Sequence, residues 1–193
     1  MTRPPPPDRL EDALAGAFAL LARGVADRRS PLHTPTLATR GTDGAPNART
    51  VVLRAFDPGT RRLRLHTDRR SAKATELAAE PRVMLHAYDA AAQVQLRIAG
   101  TVSLHHDDAL AESAWSGSRA SSRMCYAAVE PPGAAVAAPP PAPRDAEAGR
   151  GNFMAVVIAM DSLDWLLLAH EGHRRARFAW DEAGRLSATW IAP

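Results

Sequence analysis

The sequence predicts a mainly β fold with flanking helices, and three observations support this. Short runs rich in β-branched and aliphatic residues alternate with turn signals such as residues 41–44 and 57–60. Residues 61–67 alternate arginine with leucine and histidine, the period of a half-buried strand in a β-meander. Residues 9–27 instead repeat apolar residues at helical spacing, so a helix precedes the strands.

Composition narrows the class of protein. The 193 residues, 46% of them hydrophobic, suffice for one domain with a sizeable core, and the single Cys125 excludes an intrachain disulfide. The net charge is +3 and the arginines are scattered, which argues against a nucleic-acid-binding stripe. The sequence shows neither a signal peptide nor an apolar run long enough for a membrane span. We therefore expect a cytoplasmic protein with no nucleic-acid or membrane partner.

Residues 1–30 are predicted to be a tail and a helix that packs on the main domain. Residues 1–7 are proline-rich and expected to be disordered, and Asp8 is a candidate N-cap for the helix over residues 9–27. The apolar face of this helix consists of Leu10, Leu14, Phe18 and Leu21.

The remaining chain, residues 31–193, is predicted to be one domain of strands and short helices. The predicted strands are 35–40, 46–54, 61–67, 82–88, 93–104, 153–160, 162–168, 177–180 and 186–191. Helices are predicted over residues 68–80, with Ser71 as a cap, and over residues 109–115, with Asp107 or Asp108 as a cap. Residues 130–150 are rich in proline and alanine, which predicts a long surface loop.

Two features suggest anion binding. Arg49 and Arg54 are five residues apart, so on a regular strand they project from opposite faces and can serve two different sites. Solvated charges at a strand end are the alternative. Lys73, the only lysine of the chain, lies near a predicted helix N-terminus, where free N–H groups and the helix dipole favour a bound anion. An exposed lysine without a role is the alternative there.

Four motifs together resemble a known family. They are Pro-Asn-Ala-Arg-Thr-Val-Val-Leu-Arg at 46–54, Leu-His-Thr at 65–67, Ser-Ala-Lys-Ala at 71–74 and Gln-Leu-Arg-Ile-Ala-Gly at 95–100. In this order they resemble the FMN-binding split-barrel family of pyridoxamine 5′-phosphate oxidases. The resemblance extends to Pro193 and implies a six-stranded antiparallel split barrel with flanking helices. It also implies a homodimer with FMN at the subunit interface.

The resemblance assigns residues to the flavin. Arg49 and Lys73 would contact the FMN phosphate, Gln95 would hydrogen-bond the ring, and Trp165 would lie beside it. The family often has arginine where this chain has Ala72. The implied cofactor-binding residues are Arg49, Thr50, Val51, Val52, Arg54, His66, Thr67, Ser71, Lys73, Gln95, Trp165 and Arg177.

The implied substrate residues depart from the family pattern. They are Arg54, Trp115, Arg119, Arg123, His173 and Arg175. Arg54 replaces a lysine, Arg123 falls where the family has serine, and the residue types at 173 and 175 are swapped. A second alignment instead places Ser121 and Ser122 on a flavin-binding Gln-Ser pair, and both alignments stay open.

The resemblance implies an FMN-dependent oxidoreductase of the oxidase-like branch that acts on a small molecule. Its substrate and electron acceptor are open, and no catalytic residue is assigned. The alternatives are a pyridoxamine/pyridoxine 5′-phosphate oxidase proper and a flavin- or haem-holding module without turnover. No Ser/His/Asp or Cys/His spacing indicates a hydrolase. No metal site is predicted, because His105 and His106 alternate across a strand and the pair His170 and His173 lacks a third ligand.

Overall fold

The strands pair into one antiparallel sheet of nine strands in a computed structural model that describes residues 6–193. The strands are β1 (Thr36–Arg40), β2 (Pro46–Thr50), β3 (Leu53–Asp57), β4 (Arg62–Asp68), β5 (Arg82–Asp89), β6 (Val94–His105), β7 (Phe153–Leu167), β8 (Arg174–Trp180) and β9 (Leu186–Ile191). The helices are α1 (Leu10–Ala26), α2 (Ala72–Ala79), α3 (Ala109–Ser116) and α4 (Ala120–Arg123). Short 3₁₀ helices cover Pro31–His33, Met124–Tyr126 and Glu147–Asn152. The mainly β prediction is confirmed, but the predicted number of six strands is wrong.

The segment predicted as one strand over residues 46–54 is two strands with different partners. β2 pairs with β1 and β3 pairs with β4, so the two lie at opposite ends of the strand order β2-β1-β5-β6-β7-β4-β3. Only Val51 and Val52 join them, and the backbone N–H of Val51 donates to the carbonyl of Pro35 at 2.9 Å. Because two residues connect both ends of the path, the sheet must curl around its core.

β7 is the central strand of this curled sheet. The predicted break between residues 160 and 162 is absent, because β7 runs unbroken from Phe153 to Leu167 and pairs with β6 along its length. Its first half also pairs with β4 and its second half with β8. A register shift between Ala99 and Gly100 takes up one extra residue of β7. This bulge lets both halves keep their apolar residues on the core side.

Helix α1 packs on the barrel, and its first residues differ from the prediction. Arg9, not Asp8, occupies the N-cap position, and the Asp8 carboxylate instead pairs with Arg174. The carbonyls of Pro6 and Pro7 also accept from Arg174, so these two residues are held, while residues 1–5 lie outside the described part of the chain. The helical residues buried most deeply are Ala13, Ala17, Leu21 and Gly24. No helix among residues 6–193 is both long and apolar enough to cross a membrane.

The other predicted caps and the loop are largely confirmed. The Ser71 hydroxyl accepts from the N–H of Ala74, and Asp108 Oδ1 accepts from the N–H of Ala111 at 2.8 Å. Residues 130–146 form no helix or strand and are mostly exposed, whereas Glu147–Asn152, predicted as loop, is a 3₁₀ helix.

The bulge between β6 and β7 depends on a residue without a side chain. A Cβ at Gly100 would lie 2.3 Å from the carbonyl oxygen of Ala159 and 2.8 Å from a methyl group of Ile158. We expect Gly100→Ala to lower the free energy of unfolding by about 1–3 kcal/mol, because backbone atoms must move to accept the methyl group. The midpoint of urea unfolding, followed by circular dichroism, measures this.

Gly16→Ala is the matched control for that change. A Cβ at Gly16 would meet nothing within 4 Å, and the residue lies inside α1. Alanine there should raise the free energy of unfolding by about 0.5–1 kcal/mol through its higher helix propensity. Equal effects at the two glycines would contradict the packing explanation.

Candidate functional site

Three residues at the junction of β4 and α2 form a polar cluster, here called the Lys73 cluster: Thr67, Ser71 and Lys73. β4 ends at Asp68, and the turn that follows is fixed because the Ser71 hydroxyl donates to the Asp68 carbonyl at 2.7 Å. Ser71 then caps α2 and places Lys73 in the first turn of the helix. The Lys73 ammonium donates to Thr67 Oγ1 at 2.7 Å, and this hydroxyl lies 3.3 Å from Ser71 Oγ.

The environment of Lys73 disfavours its charge. Burial lowers the pKa of Lys73, and the nearby guanidinium of Arg49 lowers it further, while Asp68 and Glu76 act in the opposite direction. Within residues 6–193, Lys73 forms no ion pair with a carboxylate. An anion bound here would compensate both cations and would also meet free N–H groups at the start of α2.

Arg49 is oriented by a buried carboxylate. Its guanidinium donates to Glu76 at 2.6 Å and also to the hydroxyl of Thr39, and Asn47 donates to Glu76 at 2.8 Å. Burial raises the pKa of Glu76, but hydrogen bonds from Thr39, Asn47 and Arg49 outweigh it and leave the pKa below its usual value. Glu76 therefore holds the Arg49 guanidinium beside Lys73. It also accepts one of the hydrogen bonds that this guanidinium could otherwise donate to a ligand.

The next residues that the resemblance implies for FMN, Thr50, Val51 and Val52, differ in how exposed their side chains are. Thr50 ends β2 and is exposed, and Val52 is half-buried. The side chain of Val51 is buried in the core, so only its backbone can reach a ligand.

A second polar region, here called the cationic cavity, lies on the other side of β4. Its volume is about 340 Å³. His66 lines this cavity, whereas the next residue, Thr67, belongs to the Lys73 cluster, as expected for alternating strand residues. The polar and charged residues that line it are Arg28, His33, Arg54, Arg64, His66, Ser118, Arg119, Ser121 and Ser122.

Three buried nitrogen atoms of this cavity have no hydrogen-bond partner in residues 6–193: the Nε atoms of Arg54 and Arg64 and the Nε2 atom of His66. Burial lowers the pKa of the Arg64 guanidinium. Burial, and then the charges of Arg64 and Arg54, lower the pKa of His66 to about 3, so its imidazole is neutral at physiological pH. Arg64 was not singled out from the sequence, because an arginine alternating with leucine on a strand is typical of a solvated face. Arg28 lies in the turn after α1, where no motif marks it.

The residues implied for the flavin ring lie on the outer face of the sheet, with one exception. Gln95 lies on β6, where its side-chain oxygen is 3.1 Å from His86 Nε2, and Arg177 lies on β8 and is exposed. Trp165 is 3% exposed and points to the core side, beside Trp190. The structure therefore does not bring Trp165 to the face that carries Gln95 and Arg177.

The implied substrate residues fall into three separate places. Arg54 and Arg119 line the cationic cavity. Trp115 is buried against Phe153, and its indole N–H donates to Glu147 at 3.1 Å.

Arg123 is engaged in the same internal contacts. Its guanidinium lies over the Trp115 ring, pairs with Glu147 and donates to the carbonyls of Trp115 and Ser116. His173 is exposed near the N-terminal segment, and Arg175 forms a two-pronged ion pair with Asp164. Trp115 and Arg123 thus stabilise the fold locally instead of lining the cavity.

A Ser-His-Asp hydrogen-bond chain that the sequence spacing did not suggest joins the end of β6 to the start of α3. Ser103 Oγ is 2.8 Å from His105 Nε2, and His105 Nδ1 is 2.7 Å from Asp108 Oδ2. Strand residues two apart share a face, which brings Ser103 to His105. Ser103 is exposed and Asp108 also caps α3, so the chain anchors the end of the strand.

The part of the chain that contains these residues matches a known protein family. Residues 18–106 match the family model described as pyridoxamine 5′-phosphate oxidase, FMN-binding domain. Over these residues the chain is similar to the pyridoxamine 5′-phosphate oxidase-like FMN-binding family. The matched range contains the Lys73 cluster together with Arg49, Arg54, Arg64 and His66, and it confirms FMN as the cofactor.

Relatives in this family match part of the chain. A pyridoxine/pyridoxamine 5′-phosphate oxidase of Microcystis aeruginosa is 43% identical over 82 residues, which are 42% of this chain and 37% of that protein. The corresponding protein of Anaeromyxobacter dehalogenans is 35% identical over 100 residues, which are 52% of this chain and 50% of that protein. The chain therefore spans about half, or less, of the length of these curated relatives.

Solved structures match almost the whole chain. A pyridoxamine 5′-phosphate oxidase-related, FMN binding protein of Nostoc punctiforme superposes with a TM-score of 0.78 at 27% identity, covering 92% of this chain and 96% of that one. PhzG of Burkholderia lata superposes with a TM-score of 0.68 at 19% identity, covering 97% and 94%, and supports the fold alone. The split-barrel fold of the family is thereby confirmed.

The residues present fit the phosphate end of FMN. A half-buried ammonium without a carboxylate partner, the Thr67 hydroxyl and the amide groups at the start of α2 are donors that suit a phosphate dianion. Arg49 adds a second cation next to them. The Lys73 cluster is therefore the part of this structure best suited to hold the cofactor phosphate.

The low pKa of His66 makes stability depend on pH. When the pH falls from 6.5 towards 3, the unfolded chain takes up a proton at this residue and the folded chain does not, so folding becomes less favourable. At pH 5 this amounts to about 2 kcal/mol, at about 1.4 kcal/mol per pKa unit. His66→Gln should therefore lose roughly 2 kcal/mol less stability than the wild type between pH 7 and pH 5.

Urea unfolding at both pH values measures the difference. His170→Gln is the control, because it removes an exposed histidine of the β7–β8 connection. It should leave the pH dependence as in the wild type. A His66→Gln variant with the same pH dependence as the wild type would show that the imidazole titrates normally.

Proposed function

We propose that this chain is an FMN-dependent oxidoreductase that acts on a small molecule. The observation that carries the proposal is the Lys73 cluster, a half-buried ammonium with hydroxyl partners and no carboxylate partner within residues 6–193. When bound, FMN supplies two-electron hydride chemistry, and the protein supplies binding and orientation. Lys73 and Arg49 neutralise the phosphate dianion and Thr67 donates a hydrogen bond to its oxygens, while Ser71, whose proton goes to the Asp68 carbonyl, fixes the turn before α2.

The ring-binding residues support a homodimer with FMN between the subunits. Gln95 and Arg177 lie on the outer face of β6 and β8, whereas Thr67 and Lys73 lie on the inner side of β4 and on α2. One flavin contacts both groups when the second group comes from another copy. Each site is then incomplete without its partner subunit.

A pyridoxamine/pyridoxine 5′-phosphate oxidase proper is a second candidate, favoured by the curated relatives that the chain resembles. The internal engagement of Trp115 and Arg123 and the ion pair of Arg175 with Asp164 argue against it. These residues would have to leave existing partners to reach a substrate. We therefore favour a different substrate in a related pocket.

Removal of the Lys73 ammonium should weaken FMN binding. A charge-assisted hydrogen bond contributes about 1.5–3 kcal/mol, so Lys73→Met should raise the dissociation constant for FMN about 10- to 100-fold. Quenching of flavin fluorescence on titration of apoprotein into FMN measures the constant. The unfolding midpoint of the apoprotein should not fall, because the substitution removes a half-buried cation.

Arg82→Ala is the matched control. It removes an exposed cation whose partner is Glu80, immediately after α2, and should leave FMN affinity unchanged. An unchanged FMN affinity in Lys73→Met would show that the Lys73 cluster does not bind the FMN phosphate. A wild-type protein that binds no FMN would contradict the proposed function itself.

Subunit complementation tests the shared site. Lys73→Met and Arg177→Ala homodimers should each bind FMN weakly. After subunit exchange between equal amounts, about half of the dimers are mixed, and each mixed dimer regains one intact site, or about a quarter of the wild-type capacity overall. No regained capacity after verified exchange would mean that one chain supplies both groups.

A further inference from the structure

The hydrogen-bond chain of Ser103, His105 and Asp108 has the arrangement of a nucleophile, a general base and an orienting carboxylate. Ser103 Oγ lies 2.8 Å from His105 Nε2, and His105 Nδ1 lies 2.7 Å from Asp108 Oδ2. Both distances are within the hydrogen-bond reach that such a set requires. Neither the Lys73 cluster nor the cationic cavity uses these three residues.

The Asp108 carboxylate holds the imidazole in the tautomer that a general base needs. Its Oδ1 atom accepts from the N–H of Ala111 at 2.8 Å, so the cap of α3 fixes the carboxylate while Oδ2 faces His105. Hydrogen bonds from Ala111 and then from His105 lower the pKa of Asp108, so it is ionised at neutral pH. An ionised carboxylate accepts the proton on Nδ1, and Nε2 is then the nitrogen that accepts from the Ser103 hydroxyl.

The next histidine along the chain has different partners. His106 Nδ1 lies 2.7 Å from the carbonyl oxygen of Phe153, and His106 Nε2 lies 2.8 Å from Arg69 Nη1. Since a carbonyl and a guanidinium engage its two nitrogens, neither is left for a hydroxyl. Among the histidines of residues 6–193, His105 alone joins a serine hydroxyl to a carboxylate.

Ser103 is accessible, and a backbone donor lies beside it. Its side chain is exposed on the outer face of β6. The N–H of Val102 donates to the carbonyl of Pro81 at 2.9 Å, and the pairing of β5 with β6 ends at Thr101. Alternate residues of a strand direct their N–H groups to the same edge, so the N–H of Leu104 points past the end of β5, where no strand of residues 6–193 pairs with it. The N–H after a nucleophile is a donor that can stabilise an oxyanion.

This serine is remote from the residues proposed to contact the flavin ring. Gln95 and Ser103 lie towards opposite ends of β6, and at the rise of a strand they are roughly 26 Å apart. A reaction at Ser103 therefore does not require the flavin.

We propose that Ser103, His105 and Asp108 form a second reactive site, which transfers the acyl group of a small ester to water. Ser103 Oγ attacks the carbonyl carbon while His105 Nε2 takes the hydroxyl proton. The bond from Oγ to carbon forms, the bond from carbon to the alcohol oxygen breaks, and His105 gives the proton to the departing alcohol. Water then attacks the acyl-serine in the same way, which releases the carboxylic acid and restores the hydroxyl. The open surface around Ser103 suits a small acyl group.

Reaction of the FMN-loaded protein with p-nitrophenyl acetate tests the inference. We expect release of nitrophenolate and an acetylated protein in which peptide mass spectrometry places the acetyl group on Ser103. Lys73 is the only lysine of the chain and is half-buried, so it competes little for the acetyl group. Ser103→Ala should abolish this label, and His105→Gln should slow its formation by about tenfold or more, because the positioned base is lost.

Asp108→Asn separates a role in the reaction from a role in the fold. Asparagine caps a helix as well as aspartate does, so the unfolding midpoint should be retained. The neutral amide cannot stabilise a protonated imidazole, so acetylation should slow by about tenfold or more. Ser116→Ala is the matched control. It removes an exposed hydroxyl whose partner is Glu112, and it should leave the acetylation rate unchanged.

Three results would overturn this site. The first is a wild-type protein without acetyl on Ser103. The second is an acetylation rate that His105→Gln leaves unchanged, or that Ser116→Ala lowers equally. The third is an acetyl-serine that water does not cleave, since transfer to water is then absent. Acetylation of Ser103 in a protein that binds no FMN would support this site while contradicting the proposed function.

Discussion

The two-residue link between β2 and β3 is the constraint on which both sites depend. If residues 46–54 formed one uninterrupted strand, Arg49 and Arg54 would lie on the same strand with the same neighbours. Instead the chain bends at Val51 and Val52, leaves β1 and joins β4, and so closes the sheet on itself. The bend sends Arg49 to the side of α2 and Arg54 to the cationic cavity.

Charge pairing distinguishes structural arginines from those that await a ligand. Arg70, Arg123 and Arg175 each meet a carboxylate and each tie one segment of the chain to another. Their ion pairs are therefore satisfied within the fold. Lys73 and Arg64 are partly buried without such a partner, and their lowered pKa values have the same physical origin, the loss of hydration. An anion bound beside either cation would compensate this loss.

The sequence could predict the parts of the structure that are local. The cap at Ser71, the cap at Asp108 and the long loop follow from residue types at short range. Arg64 could not be recognised, because its burial depends on α1, α3 and α4 closing over β4, which no local pattern reveals. Trp165 could have been placed better, since Leu163, Trp165 and Leu167 alternate as one core-facing set. The single strand expected at 46–54 failed because pairing partners, not propensity, decide where a strand ends.

β4 carries one residue of each site at consecutive positions. His66 lines the cationic cavity and Thr67 belongs to the Lys73 cluster, because neighbouring strand residues project to opposite faces. β7 pairs with both residues, whereas the pairing with β3 ends at Leu65. The anion that Lys73 and Arg49 would bind is therefore on the other side of the strand from Arg54 and Arg64.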